Sequence, residues 1–188
     1  CELDDPHGCG DVGRFYTFGK VGPKDEILGV RYSSKACALK DIDGCRATGF
    51  GYQVGRGVVR DNAKAAVAYL AACDLGDLPS CGDAGNAWLA SDAAKALDPL
   101  ARHCTSETPR FRESCRLLAF EYMPGTAVAD PVRALEVAER GCLAPALPDE
   151  IDDSEAVVGA CELALRALDA LPRGPSVKAR RAHLVEAQ

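Results

Sequence analysis

The chain has 188 residues and a net charge of −6, with 28 acidic and 22 basic side chains. This acidic balance argues against nucleic-acid binding, which requires a clustered basic surface. The length suits one domain or about five short stacked units. The sequence contains no apolar run of the roughly 18 residues that a membrane-spanning helix needs, so it predicts no transmembrane segment.

Ten cysteines recur along the chain with a regular spacing. Three pairs have members eight positions apart, and each pair begins 36 positions after the previous one: Cys1 and Cys9, Cys37 and Cys45, Cys73 and Cys81. Their segments, CELDDPHGC, CALKDIDGC and CDLGDLPSC, share the pattern Cys-x-Leu-x-Asp-x-x-x-Cys. A period of this length indicates one supersecondary unit that is copied along the chain and stacked into a solenoid.

The cysteine usage also predicts the compartment. The count is even, and the C-x-x-C spacing of zinc knuckles and thioredoxin motifs is absent from the sequence. Buried free thiols need no regular spacing, so ten cysteines in a repeating pattern favour disulfides. Because disulfides persist in oxidising compartments, we expect an extracytoplasmic protein in the periplasm, in the outer envelope or secreted.

The clearest repeat begins at the cysteine of CRATGFGYQVGRGVVRD. We expect a first helix there in which Gly49 allows a neighbouring helix to approach closely, and which ends near Gly55. Asp61 is a good N-cap for the second helix, NAKAAVAYLAAC, which should stop near Gly76. Ser80 is then expected to cap the next first helix.

The same frame recurs in the other copies. A Gly-x-x-aromatic signature marks the first helices at Gly13–Tyr16, Gly49–Tyr52 and Gly85–Trp88, and Tyr122 occupies the aromatic slot of the fourth copy. The second helices are predicted at about 25–38, 61–75, 92–104, 130–142 and 175–187. The last of them has no cysteine and carries Lys178, Arg180 and Arg181, as expected for a terminal cap.

Two stretches depart from this frame. The third copy is about five residues shorter than its neighbours between Trp88 and Cys104. An insert, LAPALPDEIDDSEAV, lengthens the region between Cys142 and Cys161 and carries five acidic residues between Asp149 and Glu155. These acids do not match the calcium-loop pattern, and a solvated loop is the favoured interpretation over a calcium site.

The segment GVVRDNAKAAVAYLAACDLGDLPSCGDAG resembles the Sel1-like repeat, and its cysteine spacing resembles the bacterial cysteine-rich Hcp-type proteins of that family. The resemblance implies an all-α fold, a right-handed α/α solenoid of Sel1-like (TPR-like) helix-turn-helix repeats stapled by disulfides. It covers residues 1–188 as a single solenoid of about four to five repeats. The implied disulfides are Cys1–Cys9, Cys37–Cys45, Cys73–Cys81, Cys104–Cys115 and Cys142–Cys161.

Helix geometry supports this connectivity. The first cysteine of a pair should end one helix and the second should begin the next, which brings their Cα atoms to roughly 5.5 Å. Closing an eight-residue loop stabilises by about 2.5 kcal/mol in the chain-entropy model. Cys1 has a second interpretation, a lipid-modified N-terminal cysteine. However, Cys1 occupies the first position of the repeated segment Cys-x-Leu-x-Asp-x-x-x-Cys, and this register favours the disulfide. That register also predicts upstream repeats in a longer chain.

The sequence carries no recognisable catalytic constellation. His7, His103 and His183 lie outside any H-E-x-x-H motif and are interpreted as surface or capping residues. The G-x-S-x-G, S-x-x-K and K-T-G motifs of serine hydrolases and β-lactamases are absent from the sequence. A small basic cluster of Arg110, Arg112 and Arg116 with Phe111 is interpreted as a solvated helix face beside one core aromatic residue.

We therefore expect a protein–protein interaction scaffold, without enzymatic activity or cofactor, which binds a protein or peptide alone or within a larger envelope assembly. The candidate contacts are solvent-facing residues of the first helices, Arg14, Arg46, Gln53, Asn86 and Glu121. The alternative is an envelope enzyme or ligand binder of the penicillin-binding or β-lactamase-like type, an activity linked to some members of the resembled family.

Overall fold

The computed structural model describes residues 1, 5–20, 22–106, 108, 110–144, 154–172 and 175–186. These residues form ten α-helices and no β-strand. The helices in chain order are α1 Pro6–Phe18, α2 Glu26–Ala38, α3 Ile42–Val54, α4 Asn62–Asp74, α5 Leu78–Leu89, α6 Ala93–Cys104, α7 Phe111–Glu121, α8 Pro131–Leu143, α9 Ser154–Asp169 and α10 Pro175–Glu186.

The chain divides into two compact units, Cys1–Asp92 and Ala93–Gln188. In the first unit each of the helices α1 to α5 packs against the next along the chain. In the second unit α6 to α10 pack in the same sequential way, and α7 also contacts α9. This succession of packed helical hairpins confirms the predicted all-α fold class. The single solenoid over 1–188 and the capping role of the last helix stay predictions.

Aspartates begin most of the helices. The carboxylates of Asp5, Asp25, Asp41, Asp61 and Asp130 each accept a backbone hydrogen bond from the first turn of the following helix. The prediction for Asp61 is therefore confirmed, whereas the prediction that Ser80 caps α5 is wrong. Asp77 is the N-cap of α5, and the Ser80 hydroxyl, one turn further, donates to the Asp77 carboxylate.

The aromatic slot of the repeat also has a backbone role. The carbonyl oxygens of Tyr16, Tyr52 and Tyr122 accept hydrogen bonds from the N-cap amides of Asp25, Asp61 and Asp130, at 2.8–3.0 Å. These bonds close the loop between the two helices of a hairpin. In the shortened third copy Trp88 accepts from Asp92, only four residues later, at 2.7 Å. The third copy is therefore shorter because its loop is shorter, and the hydrogen bond that closes the loop is retained.

Five disulfides pair all ten cysteines. The pairs are those implied by the family resemblance, with sequence separations of 8, 8, 8, 11 and 19 residues. Their Cα atoms are 4.3–4.8 Å apart, at the short end of the usual range. Four of the five bridges connect the end of a second helix to the first helix of the next hairpin.

The second unit corrects two interpretations of polar residues. His103 is 3% exposed, and its Nδ1 lies 2.8 Å from the Ser114 hydroxyl, so it is not a surface residue. Arg112 is also 3% exposed and donates to the carbonyl oxygen of Ala144 at 3.0 Å, so it does not lie on a solvated face. Both side chains are buried because α6, α7 and α8 pack around them.

The acidic stretch from Asp149 to Asp153 and the last two residues of the chain lie outside the described residues. Glu155 belongs to the first turn of α9. None of the helices described is both long enough and apolar enough to cross a membrane.

Candidate functional site

A groove with a volume of about 430 Å³ lies within the first unit. Its walls come from α1, α3 and α5, the first helices of three successive copies, and its floor comes partly from α2 and α4. The polar and aromatic side chains that line it from the first helices and the loop after α3 are Arg14, Thr17, Phe18, Asp43, Arg46, Phe50, Arg56 and Asp83. Val30, Ser33 and Tyr69 contribute to the floor from the second helices.

Helix α3 packs closely on α4 beside this groove. Gly49 faces the ring of Tyr69, and a Cβ atom at that position would stand 2.7–2.8 Å from three of the ring carbons. A side chain there would collide with the ring, so glycine is needed for this approach, as the sequence predicted. Gly51 likewise faces Val30 of α2, with 2.8 Å between a built Cβ and Cγ2.

Two phenylalanine side chains of the groove face solvent. Phe18 is 62% exposed and Phe50 is 42% exposed. The guanidinium of Arg56 lies 5.0 Å from the centre of the Phe50 ring and 3.8 Å from the Glu26 carboxylate. In this cation–π contact the guanidinium lies over one face of the Phe50 ring.

A series of ion pairs crosses the groove wall from α1 to α5. Arg14 pairs with Asp11 on its own helix and lies 3.5 Å from Asp43 of α3. Arg46 of α3 lies 3.8 Å from Asp43 and 3.6 Å from Asp77, the N-cap of α5. These side chains therefore alternate in charge across three neighbouring first helices. The side chains of Arg14, Asp43 and Arg46 are 53–63% exposed, so the pairs among them contribute little to stability.

Tyr69 is a buried residue with a polar hydroxyl at the groove floor. Its hydroxyl donates to Oε1 of Gln53 at 2.9 Å. Burial raises the pKa of Tyr69 well above its ordinary value, and the negative charge of Asp83 adds to that rise. The phenol is therefore neutral at physiological pH, and its hydroxyl proton takes part in the hydrogen bond to Gln53.

The five predicted contact residues do not form one cluster. Arg14 and Arg46 both line the groove. Gln53 is half-buried and engaged by Tyr69, and Asn86 is exposed on α5 outside the groove lining. Glu121 is half-buried at the end of α7 in the second unit.

The sequence interpretation missed Phe18, Phe50 and Arg56. A signal for Phe50 was present, because it lies 36 positions after Arg14 and 36 before Asn86, in the same slot of the repeat. The predicted contacts in this slot, Arg14 and Asn86, are both polar, and the aromatic Phe50 was not included among them. Among the described residues, no group of three or more His, Cys, Asp or Glu side chains could hold a metal ion.

No protein-family model and no curated protein matches the chain. Solved structures do match it. A Sel1 repeat protein from Oxalobacter formigenes aligns with a TM-score of 0.62 and 18% identity, over 98% of this chain and 72% of that one. The c5321 protein, a protective antigen present in uropathogenic Escherichia coli strains that displays an SLR fold, aligns with a TM-score of 0.61 and 15% identity, over 99% of this chain. This chain spans 38% of the length of c5321. These similarities establish the fold, that of Sel1-like repeats.

Proposed function

We propose that this chain, with its Sel1-like repeat fold, is an extracytoplasmic scaffold that binds a protein or peptide partner through the groove of its first unit. The observation that carries the proposal is the pair of exposed aromatic side chains, Phe18 and Phe50, beside half-exposed arginines in one concave site. Aromatic residues, phenylalanine included, and arginine are enriched at protein interfaces relative to the rest of the surface. Concave faces of helical repeats commonly supply such interfaces.

The disulfides support both the location and the mode of binding. Five bridges in a chain of this size are typical of an oxidising compartment. Cys37–Cys45 and Cys73–Cys81 tie α2 to α3 and α4 to α5, the helices that shape the groove. A groove held in this way loses little conformational freedom when a partner binds, which favours affinity.

The groove chemistry gives the hydrolase alternative little support. A general base must be free to accept a proton from the reacting group. Tyr69 is neutral and hydrogen-bonded to Gln53, and Asp43 is shared between Arg14 and Arg46. Tyr69 and Asp43 thus interact with other side chains of the protein. They are better suited to stabilising the shape of the groove than to accepting a proton from a substrate.

Affinity purification from the native envelope fraction tests the proposal. The double variant Phe18→Ser/Phe50→Ser should lose a partner that the wild type retains, because it removes the apolar contacts of the groove. The matched control is Val59→Ser/Val67→Ser, which alters two exposed apolar residues outside the groove lining and should retain the partner. Equal recovery by both variants, or β-lactam turnover by a protein that recovers no partner, would overturn the proposal.

A further inference from the structure

We propose that the loop between α3 and α4, residues 55–60, acts as a clasp that holds Phe50 in a fixed position in the groove, with Arg56 and Gly57 as its positioning residues. This inference rests on the proposed function, because it concerns how the binding surface keeps its shape. It follows from a backbone contact between two hairpins, from the hydrogen bonding of the loop and from the surroundings of the Arg56 side chain.

Gly57 brings the backbones of two hairpins into direct contact. Its φ is 69°, and a Cβ atom at this position would stand 2.1 Å from the carbonyl oxygen of Glu26 and 2.8 Å from the amide nitrogen of Ile27. Glu26 and Ile27 begin α2 in the first hairpin, whereas Gly57 follows α3 in the second. Because the obstructing atoms belong to the backbone, no change of rotamer could make room for a side chain. Only glycine permits this contact.

This contact is particular to the second copy of the repeat. The residues at the same distance after the aromatic slot are Val21 in the first copy and Ala127 in the fourth, and both carry a Cβ atom. Among the described glycines with positive φ, Gly57 is the one at which a Cβ atom would come within 3 Å of another residue. The clasp is therefore a local feature beside the groove and not a general consequence of the repeat.

The loop is also bound to the last turn of α3. The Arg56 amide donates a hydrogen bond to the carbonyl oxygen of Gly51 at 2.9 Å, and Gly55 ends the helix in the left-handed region. Arg56 therefore lies between two fixed glycines, one that ends α3 and one that contacts α2. Displacement of Gly57 from α2 should move Arg56 with it.

The Arg56 side chain transmits this fixation to Phe50. Its guanidinium lies 5.0 Å from the centre of the Phe50 ring, and its Nε lies 3.8 Å from the Glu26 carboxylate. A hydrogen bond from Lys24, with a smaller effect of the Arg56 charge, lowers the pKa of Glu26, which is therefore charged at neutral pH. These partly exposed ion pairs are individually weak, so we expect the backbone contact of Gly57 to provide most of the fixation.

The clasp lies at the opposite end of α2 from a disulfide. Cys37, in the last turn of α2, is bonded to Cys45 of α3, and Glu26 stands 11 residues earlier, about 16 Å along the helix axis. Helix α2 is thus joined to the second hairpin covalently at one end and through the clasp at the other. The disulfide alone fixes only the end of α2 that is distant from Phe50.

Nuclear magnetic relaxation of isotope-labelled phenylalanine rings in the free, disulfide-bonded protein tests the clasp without a partner. Gly57→Ala should lower the order parameter of the Phe50 ring, because it forces the loop away from α2. Gly55→Ala is the matched control, since Gly55 also has a positive φ but a Cβ atom there would meet no atom closer than 3.5 Å. Arg56→Gln, which leaves the backbone contact intact, should also lower the order parameter, whereas Arg60→Gln in the same loop should not.

The second arm measures how much envelope partner the same variants retain. Gly57→Ala and Arg56→Gln should retain about tenfold less than Gly55→Ala and Arg60→Gln, because side chains released in the free protein must be ordered again on binding. Circular dichroism controls for the folding of each variant.

Equal order of the Phe50 ring in all four variants, or equal retention by variants whose ring order differs, would overturn the inference. If the wild type retains no partner, the scaffold function is refuted, whereas selective loosening of the Phe50 ring by Gly57→Ala and Arg56→Gln would still support the clasp.

Discussion

Gly49 of α3 lies against the ring of Tyr69 of α4, close enough that a Cβ atom at Gly49 would meet three ring carbons at 2.7–2.8 Å. This contact links the packing of a hairpin to the groove, because Tyr69 is both a core residue, 4% exposed, and part of the groove floor. The same ring packs with the buried alanines of α4 and α5. A change at Gly49 should therefore affect stability and binding together.

Gly49→Ala should destabilise the protein by about 1–3 kcal/mol, because an added methyl group in a packed core forces side chains or backbone to shift. The free energy of unfolding in urea measures the effect. In a Tyr69→Leu background the obstructing ring is absent, so the same substitution should cost markedly less. An equal cost in both backgrounds would contradict the assigned contact.

The stabilisation by each disulfide should increase with the length of the loop that it closes, and removal of single disulfides tests this. In the chain-entropy model, the double substitution Cys37→Ser/Cys45→Ser should cost about 2.5 kcal/mol, and Cys142→Ser/Cys161→Ser about 3.2 kcal/mol. The Cys73–Cys81 pair has the same separation as Cys37–Cys45 and serves as the matched control. Hydrogen exchange should show the loss concentrated in the two helices that each bridge joins. Uniform loss of protection across both units would contradict a local staple.

Asp61 should make stability depend on acid pH. Its carboxylate accepts from the backbone amide of Lys64 at 2.9 Å, and this hydrogen bond lowers the pKa of Asp61 below its ordinary value of 3.8. The charged form is favoured in the folded state, so its contribution is complete above pH 3.8 and is lost as the pH falls through the lowered pKa.

Asp61→Asn preserves a good N-cap residue but removes the charge. The wild type should therefore exceed this variant in unfolding free energy at neutral pH, and the difference should disappear in strong acid. Urea unfolding across this pH range provides the measurement. A difference that stays constant down to strong acid would refute the role of the Asp61 charge.

The buried Arg112 side chain should contribute more to the stability of the second unit than an exposed arginine does. Arg112→Gln should cost about 1–3 kcal/mol, because the buried Arg112 side chain loses its hydrogen bond to the half-buried carbonyl of Ala144. Arg116→Gln is the control on the same helix, where a half-exposed pair with Glu113 should contribute only about 0–1 kcal/mol. Thermal unfolding of the two variants compares them. Similar costs would indicate that Arg112 does not act as a buried donor.

Most of the repeat frame could be predicted because it depends on local chemistry. Asp61 caps a helix and Gly55 ends one in the left-handed region, with φ of 74°, and both follow from residue type and position. Ser80 was misassigned because Asp77 precedes it by three residues and either side chain suits a cap. The local sequence could not decide between them.

The burial of His103 and Arg112 could not be predicted in this way. Both are polar side chains of the kind usually found in solvent, and the packing of α6, α7 and α8, which no local pattern specifies, buries them. The groove was predicted only in part. Arg14 and Arg46 are among the predicted solvent-facing contacts and line the groove, whereas Phe50, which occupies the same repeat slot as Arg14, is not among them.

Site-specific photocrosslinking in the native envelope tests the central claim most directly. A benzophenone amino acid should be placed at Phe50, inside the groove, and in a second variant at Val67, an exposed position of α4 outside the groove lining. We expect a discrete protein adduct from position 50 that weakens with Arg46→Gln, and none from position 67. Equal adducts at both positions, or an adduct from position 67 alone, would contradict it.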